Sequence, residues 1–335
     1  MGWSEIYGHN LQKSFFQRVI AEGRLSHAYL FSGPPHVGKS TFVKELARRL
    51  NCLSPSEDGA CGTCQSCRFI EAGSHPDVIS LVPQEGTIVI EQVRQFTFQL
   101  GFKRVMKGYR VGIVFSAECF SKEEVQNCLL KSIEEPAEGS VIFLVTSQVH
   151  SLLPTILSRC QQVFFTPLQT EEIKQYLMRE KAIPEKKAQD SALVSMGSIG
   201  RAQAILEGKT GVQEKAFFLC KHVLHSEGML SLGPWFIENK ENLAEILPLF
   251  GIYLRDCLLI KMEKDGSDHF LFDPSKKDEF RKESQQVTIP WLRQTIVQLE
   301  QLMADLSQNG NIDIAVIHFL LQLREDMKNA TSRGN

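Results

Sequence analysis

Apolar residues follow two periodicities in the first half of the chain and one in the second. Short apolar runs recur at Ala28-Tyr29-Leu30-Phe31, Val78-Ile79-Ser80-Leu81-Val82, Arg110-Val111-Gly112-Ile113-Val114-Phe115, Val141-Ile142-Phe143-Leu144-Val145 and Val163-Phe164-Phe165. Runs this short are strands, and unbroken apolarity means burial on both faces, as in a parallel sheet. Between them, apolar residues return every three or four positions, the period of an amphipathic helix. The pattern predicts helices over 3–26, with Leu11, Phe15, Phe16, Val19 and Ile20 on the buried face, and over 41–50, 69–72, 88–100, 122–136 and 154–160. Strand–helix alternation through residue 166 predicts an α/β domain with a mostly parallel sheet.

After Thr166-Pro167-Leu168 only helical spacing remains. Thr170 is expected to cap a helix ending at Glu180. A second helix is predicted over 190–196, and a third starts at Arg201 beyond the Gly197-Ser198-Ile199-Gly200 break. Together these make a small helical domain over 167–208. Four further helices, 213–228, 241–263, 288–306 and 311–328, with a loop at 270–275, predict an all-α domain over 209–335 that carries no catalytic constellation and serves assembly.

Composition narrows the function. The net charge of -2, with no long run of one sign, argues against a strongly basic DNA-wrapping protein. No apolar run reaches the roughly 18 residues of a membrane helix. The N-terminus lacks the basic-then-apolar character of a signal peptide. Nine cysteines, an odd number with several in apolar runs, fit reduced thiols. A cytoplasmic location without membrane attachment is expected.

The chemistry begins at Gly33-Pro34-Pro35-His36-Val37-Gly38-Lys39-Ser40, a G-x-x-x-x-G-K-S pattern between a strand and a helix. That context makes it a phosphate-binding loop. Gly33 and Gly38 let the backbone curl so that its N–H groups face an anion, and the helix N-terminus adds positive potential. Lys39 supplies a full charge, Ser40 a magnesium ligand, and Thr41 continues the cradle. ATP or ADP is the expected ligand. In an NTPase the third apolar run should end in an acid that holds magnesium and a carboxylate that activates water. Phe115 and Ser116 stand there instead. The first acid is Glu118, which leaves open that it folds back to serve. Ser147, ending the next strand, can face a γ-phosphate. Separately, Cys52, Cys61, Cys64 and Cys67 form C-x8-C-x2-C-x2-C in a Gly- and Ser-rich segment. Four thiolates suit a tetrahedral zinc ion with no open position, hence structural; free or disulfide-paired thiols are the alternative. His75 reads as a structural histidine.

Several motifs coincide in order. They are Leu25-Ser26-His27-Ala28-Tyr29-Leu30-Phe31 running into the phosphate loop, the cysteine cluster, Asn127-Cys128-Leu129-Leu130-Lys131-Ser132-Ile133-Glu134-Glu135-Pro136, and Ile156-Leu157-Ser158-Arg159-Cys160. Together they resemble the bacterial clamp-loader subunits of DNA polymerase III. Gly197 to Leu206, and more weakly Asn309 to Leu323 with Asn311, extend the resemblance. It implies an AAA+ fold in three domains: a P-loop domain over 1–166 with a zinc module at 52–67, a helical lid and an all-α collar. It implies a five-subunit ring, with gamma/tau and delta as partners, that opens the sliding clamp and loads it on primed DNA. Any DNA surface should then be a modest basic patch. Arg159 matches the arginine that reaches the ATP of a neighbouring subunit, Ser147 resembles a sensor hydroxyl, and Arg201 lies near the second sensor. The gamma/tau branch carries Asp-Glu where this chain has Phe115-Ser116, whereas the delta-prime branch tolerates losses there. A non-hydrolysing ring member is therefore expected. An active ATPase of gamma/tau type, or a zinc-dependent scaffold with an empty nucleotide site, are the other readings.

Overall fold

The computed structural model describes every residue except 1, 4–5, 57, 196, 207–210, 226–231, 263–270, 272–275, 308–311 and 333–335. The chain divides into two compact units, Met1–Gln203 and Ala204–Asn335. Among the described residues, no helix is long and apolar enough to cross a membrane.

The first unit is built on a five-stranded sheet: β1 (Ala28–Ser32), β2 (Val78–Leu81), β3 (Arg110–Val114), β4 (Ser140–Thr146) and β5 (Gln161–Phe164). The spatial order is β2-β3-β4-β1-β5, and every pairing is parallel. Its helices are α1 (Asn10–Ala21), α2 (Lys39–Asn51), α3 (Gln65–Glu71), α4 (Ile90–Leu100), α5 (Glu123–Glu134), α6 (Pro154–Leu157), α7 (Thr170–Lys181), α8 (Glu185–Val194) and α9 (Ile199–Leu206), which runs to the unit boundary. All five residues of β1 are buried, so its apolar run divides by strand alternation. Tyr29 and Phe31 join Phe16 of α1 and Phe42, Val43 and Leu46 of α2 in one core. Ala28 and Leu30 join Val93 and Phe96 of α4, Val125, Leu129 and Ile133 of α5 and Ile156 of α6 in the other. The first core is aromatic: Tyr29 stacks on Phe143 at 5.6 Å, and Phe31 meets Phe165 at 5.2 Å.

Register aligns the strand ends. Ser32 pairs with Thr146 on one side and Phe164 on the other, and Val114 pairs with Leu144. The C-terminal ends of β1, β3 and β4 therefore share one edge, where open α/β sheets form their ligand crevice.

The second unit is helical: α10 (Val212–Leu224), α11 (Leu232–Glu238), α12 (Leu243–Met262), α13 (Lys277–Glu283), α14 (Ile289–Ser307) and α15 (Ile312–Ser332). Phe217, Tyr253 and Phe280 tie α10, α12 and α13 together, with ring centroids 5.3 to 6.0 Å apart.

Several expectations need correction. Only Asn10–Ala21 of 3–26 is helical, and Leu11 is 84% exposed rather than core. Trp3 and Ile6, ahead of the helix, are the buried residues, with Trp3 packed on Phe42 at 5.1 Å. Gln169, not Thr170, caps α7: Glu172 accepts from the Gln169 backbone N–H, so Thr170 is the first helical residue. The second helix after Leu168, α8, begins at Glu185 instead of 190. Helices α11 and α13, each of seven residues, were not predicted; both are too short to show a helical period. The predicted helix at 241–263 begins in a 3₁₀ turn, Lys240–Asn242, before α12. The predicted loop at 270–275 lies outside the described residues except Leu271, as do Asn309 and Asn311.

One buried ion pair pins β2, β3 and the segment after α4. Asp77, 1% exposed, accepts from Arg110 Nη1 at 2.8 Å and from the backbone N–H groups of Val105 and Met106. Arg110 also donates from Nε to the Gln99 carbonyl at 2.9 Å. Asp77→Ala strips a buried guanidinium of its counter-ion and two N–H groups of their acceptor. Such a loss costs about 3–5 kcal/mol. Urea denaturation of the variant should show a drop of that size, and a change within about 0.5 kcal/mol would mean that the pair does not hold this segment.

Candidate functional site: the phosphate loop and the cysteine cluster

The phosphate loop leaves β1 at Gly33, which passes over the end of β5. Its φ is 146°, and a Cβ there would sit 2.1 Å from the Phe165 carbonyl oxygen, so only glycine fits. Gly38, at φ 103°, is the N-cap residue of α2. The first N–H groups of a helix have no intrahelical acceptor, so those of Lys39, Ser40 and Thr41 are oriented for an anion. Lys39 is 6% exposed, and its Nζ donates to the carbonyls of Gly33 and Pro34, each at 2.6 Å. Burial lowers its pKa to about 8, against an opposing pull from the Glu118 carboxylate.

Two histidines hold this loop in ways its sequence does not announce. His9, at φ 55°, donates from Nε2 to the Val37 carbonyl at 2.7 Å and packs edge-on against Phe165. Burial lowers its pKa, which keeps the ring neutral. His36, inside the loop, has φ 61°, and its carbonyl accepts from Ser198 Oγ at 3.0 Å. Ser198 Oγ in turn accepts from the Arg201 backbone N–H, which ties the start of α9 to the phosphate loop. Residue type alone does not reveal left-handed backbone at a histidine, so no sequence signal pointed to either.

A cavity of about 880 Å³ opens at this edge. Gly38, Lys39, Ser40 and Thr41 line it together with Tyr7, Tyr176, Ile199 and Gln203 on one flank and Lys44, Arg48, Glu71 and Phe115 on the other. Tyr7 and Tyr176 meet edge to face at 5.1 Å, and the Tyr176 hydroxyl accepts from Gln203. Such a pair of rings with an amide beside it suits a flat heterocycle. Gly33, Ser147 and Arg201 do not line the cavity.

At the end of β3 the acids are missing and the space is otherwise used. Phe115 packs against the aromatic core, with Lys44 Nζ 5.6 Å from its ring centroid. Ser116 takes a left-handed conformation, φ 51°, and starts a 3₁₀ turn that carries Glu118. The Glu118 carboxylate accepts from Ser147 Oγ at 2.6 Å and from the Ser147 backbone N–H at 3.3 Å. Glu118 is thus turned onto the hydroxyl that follows β4.

Arg159 follows α6 on the surface, its side chain 39% exposed. Its Nε lies 2.7 Å from Glu134 Oε1, and its Nη1 donates to the Thr155 carbonyl at 3.1 Å. His75, as expected, is structural: Ser66 Oγ meets Nε2 at 2.9 Å and Nδ1 accepts from the Asp77 N–H.

Cys52, Cys61, Cys64 and Cys67 converge, with all four Sγ atoms within 4.8 Å of one another. Cys52 to Cys64 is 4.0 Å, close to the roughly 3.8 Å that Zn–S bonds of about 2.3 Å impose between tetrahedral ligands. The Cys64 N–H donates to Cys61 Sγ and the Cys67 N–H to Cys64 Sγ. Backbone N–H groups of Thr63 and Cys64 lower the Cys61 thiol to about 6, so it is largely thiolate at neutral pH. Burial raises Cys67. Four converging thiols with these donors can hold a metal ion. The cluster is braced to the phosphate-loop helix, since Arg48 of α2 bridges Glu45 at 3.8 Å and Glu71 of α3 at 3.3 Å.

Comparison with known proteins finds subunits of DNA polymerase III. The sequence profile of the family described as "DNA polymerase III, delta subunit" matches residues 8–169. The chain is 30% identical over 226 residues to DNA polymerase III subunit delta' of Escherichia coli (strain K12), which covers 66% of each chain. It is 30% identical over 321 residues to the Haemophilus influenzae delta' subunit, covering 91% of this chain and 93% of that one. It is also 32% identical over 256 residues to Escherichia coli subunit tau, covering 73% of this chain and 40% of the relative.

The lowered Lys39 pKa sets a pH dependence. The free site loses its ammonium charge as pH rises through about 8, whereas bound phosphate favours the charged form. Affinity for a fluorescent ADP analogue should weaken about tenfold between pH 7 and pH 9. Lys39→Ala should bind more weakly at pH 7 and lose that slope. A wild-type profile flat across this window would show that the Lys39 charge does not govern binding.

Proposed function

The chain belongs to the DNA polymerase III delta' family, and from that premise we propose that it is a non-hydrolysing subunit of the bacterial clamp loader. In this reading it joins gamma/tau and delta subunits in the cytoplasm and helps to open the sliding clamp and load it on primed DNA. Its P-loop domain spans 1–166, its lid 167–208 and its collar 209–335.

The observation that carries the reading is the pairing of an intact phosphate loop with a β3 end that offers Phe115 and Ser116. A phenyl ring cannot ligate magnesium, and Ser116 is a poor base. Glu118, the nearest acid, is hydrogen-bonded to Ser147. Gly38, Lys39, Ser40 and Thr41, with Gly33 shaping the turn, support ATP or ADP as a structural ligand. Ser147 and Arg201 are then relics of the two sensors. Arg159 is the group that acts, donating in trans to the nucleotide of a neighbouring ATPase subunit. A guanidinium stabilises the charge spread of phosphoryl transfer and changes rates by about 10³–10⁵ where such fingers are known. Cys52, Cys61, Cys64 and Cys67 take one structural zinc, which supplies cross-linking in place of a hydrophobic core for the 52–67 module.

A second reading, an active ATPase, is favoured by one fact: Glu118 is near enough to Lys39 to oppose the fall in its pKa. The two readings separate cleanly. The isolated chain should show no ATP turnover above background, and Arg159→Ala should lower turnover of the reconstituted loader by at least about tenfold. Brisk hydrolysis by the isolated chain, abolished by Glu118→Gln, would reverse the assignment. For the metal, analysis of purified protein should return one zinc per chain, and Cys64→Ser should release it. Stable wild-type protein without zinc would contradict the module.

A further inference from the structure

We infer that Glu134 is a positioning residue for Arg159, fixing the guanidinium so that its Nη2 nitrogen faces outward to the neighbouring nucleotide. This deepens the trans-acting role proposed above and rests on it. Three observations carry the inference. First, Arg159 is held at two of its three nitrogens. Nε lies 2.7 Å from Glu134 Oε1 in an ion pair, and Nη1 donates to the Thr155 carbonyl at 3.1 Å and to Ser158 Oγ at 3.4 Å. Nη2 has no partner among the described residues. A planar guanidinium fixed at Nε and Nη1 leaves its third nitrogen, Nη2, pointing in a set direction. Second, α5 grips this segment twice. Gln126 accepts from the Leu153 N–H at 2.8 Å and donates to the Ser151 carbonyl at 2.9 Å, and Glu134, two helical turns on, takes Arg159. The backbone that carries Arg159 and its side chain are thus registered to the same helix. Third, Glu134 is the last residue of α5, where the helix dipole disfavours an anion. A carboxylate there gains from the cation beside it, yet exposed pairs of this kind contribute little to stability. What the pair provides is orientation, and misplacement by about 1 Å can cost a reaction about 10²-fold.

The test uses the reconstituted loader containing this subunit. Glu134→Ala should lower kcat for ATP by about tenfold to a hundredfold, with KM for ATP and complex assembly unchanged. Glu134→Gln, whose amide oxygen can still sit beside Nε without the full charge, should recover part of the loss and stay within about threefold to tenfold of wild type. In an Arg159→Ala background, Glu134→Ala should cost nothing further. If Arg159→Ala lowers turnover while Glu134→Ala leaves it unchanged or raises it, the finger stands and the positioning role falls; a rise would mean that Glu134 only parks the arginine. If Arg159→Ala itself changes nothing, the trans role fails and this inference with it. Should the Glu134→Ala subunit not assemble, Glu134→Gln carries the test, and an unchanged kcat in it overturns the inference.

Discussion

The parallel seating of β1 between β4 and β5 is the constraint on which the first unit depends. It brings the ends of β1 and β4 to the same level, so the chain can turn at Gly33 directly onto a helix N-terminus. The turn is tight enough that the Phe165 carbonyl excludes any Cβ at Gly33. Everything chemical at this edge follows from that closeness. Lys39 is folded under the loop, Glu118 and Ser147 meet across β3 and β4, and the start of α9 ties to His36. The aromatic core beneath holds the strands at this level, because Phe31, Phe42 and Phe165 are in mutual contact.

The same edge is uneven in what it offers. The groups that grip an anion depend on backbone direction, and they persist with the fold. The groups that would activate water depend on side chains at two positions, and those are Phe115 and Ser116. Phe115 is not idle, since it extends the aromatic core toward the cavity and carries Lys44 over its ring. An acid at position 115 would place a carboxylate against aromatic side chains, so the phenyl ring suits the packing around it.

Sequence made the three central strands legible because the apolar runs of β1, β3 and β4 are buried on both faces, whereas the edge strands β2 and β5 are partly exposed. The four cysteines were legible because two-residue spacings allow chelation with little else in competition. Elements whose reason lies elsewhere in the chain were not. Trp3 and Ile6 are buried by α2 and the sheet, not by a helix of their own, so helical periodicity was misread across them. Gln169 caps α7 through Glu172, a reciprocal pair that the neighbouring Thr170 masked. The helices α11 and α13 are too short for periodicity to speak. Within the site, Gly38, Lys39, Ser40 and Thr41 sit together as a local pattern must. The partners His9, Ser198 and Glu134 come from distant segments, and only the fold brings them near.

Cys52 follows α2 without a break: the residue after Asn51, at the helix C-cap, already belongs to the thiol cluster. Thirteen helical residues, about 20 Å of rod, therefore have the G-x-x-x-x-G-K-S loop at one tip and the four thiols at the other. A rod has no hinge. The Arg48 strut to Glu71 ties α3 to the same rod, so the thiol cluster takes its place from the helix that starts at the loop.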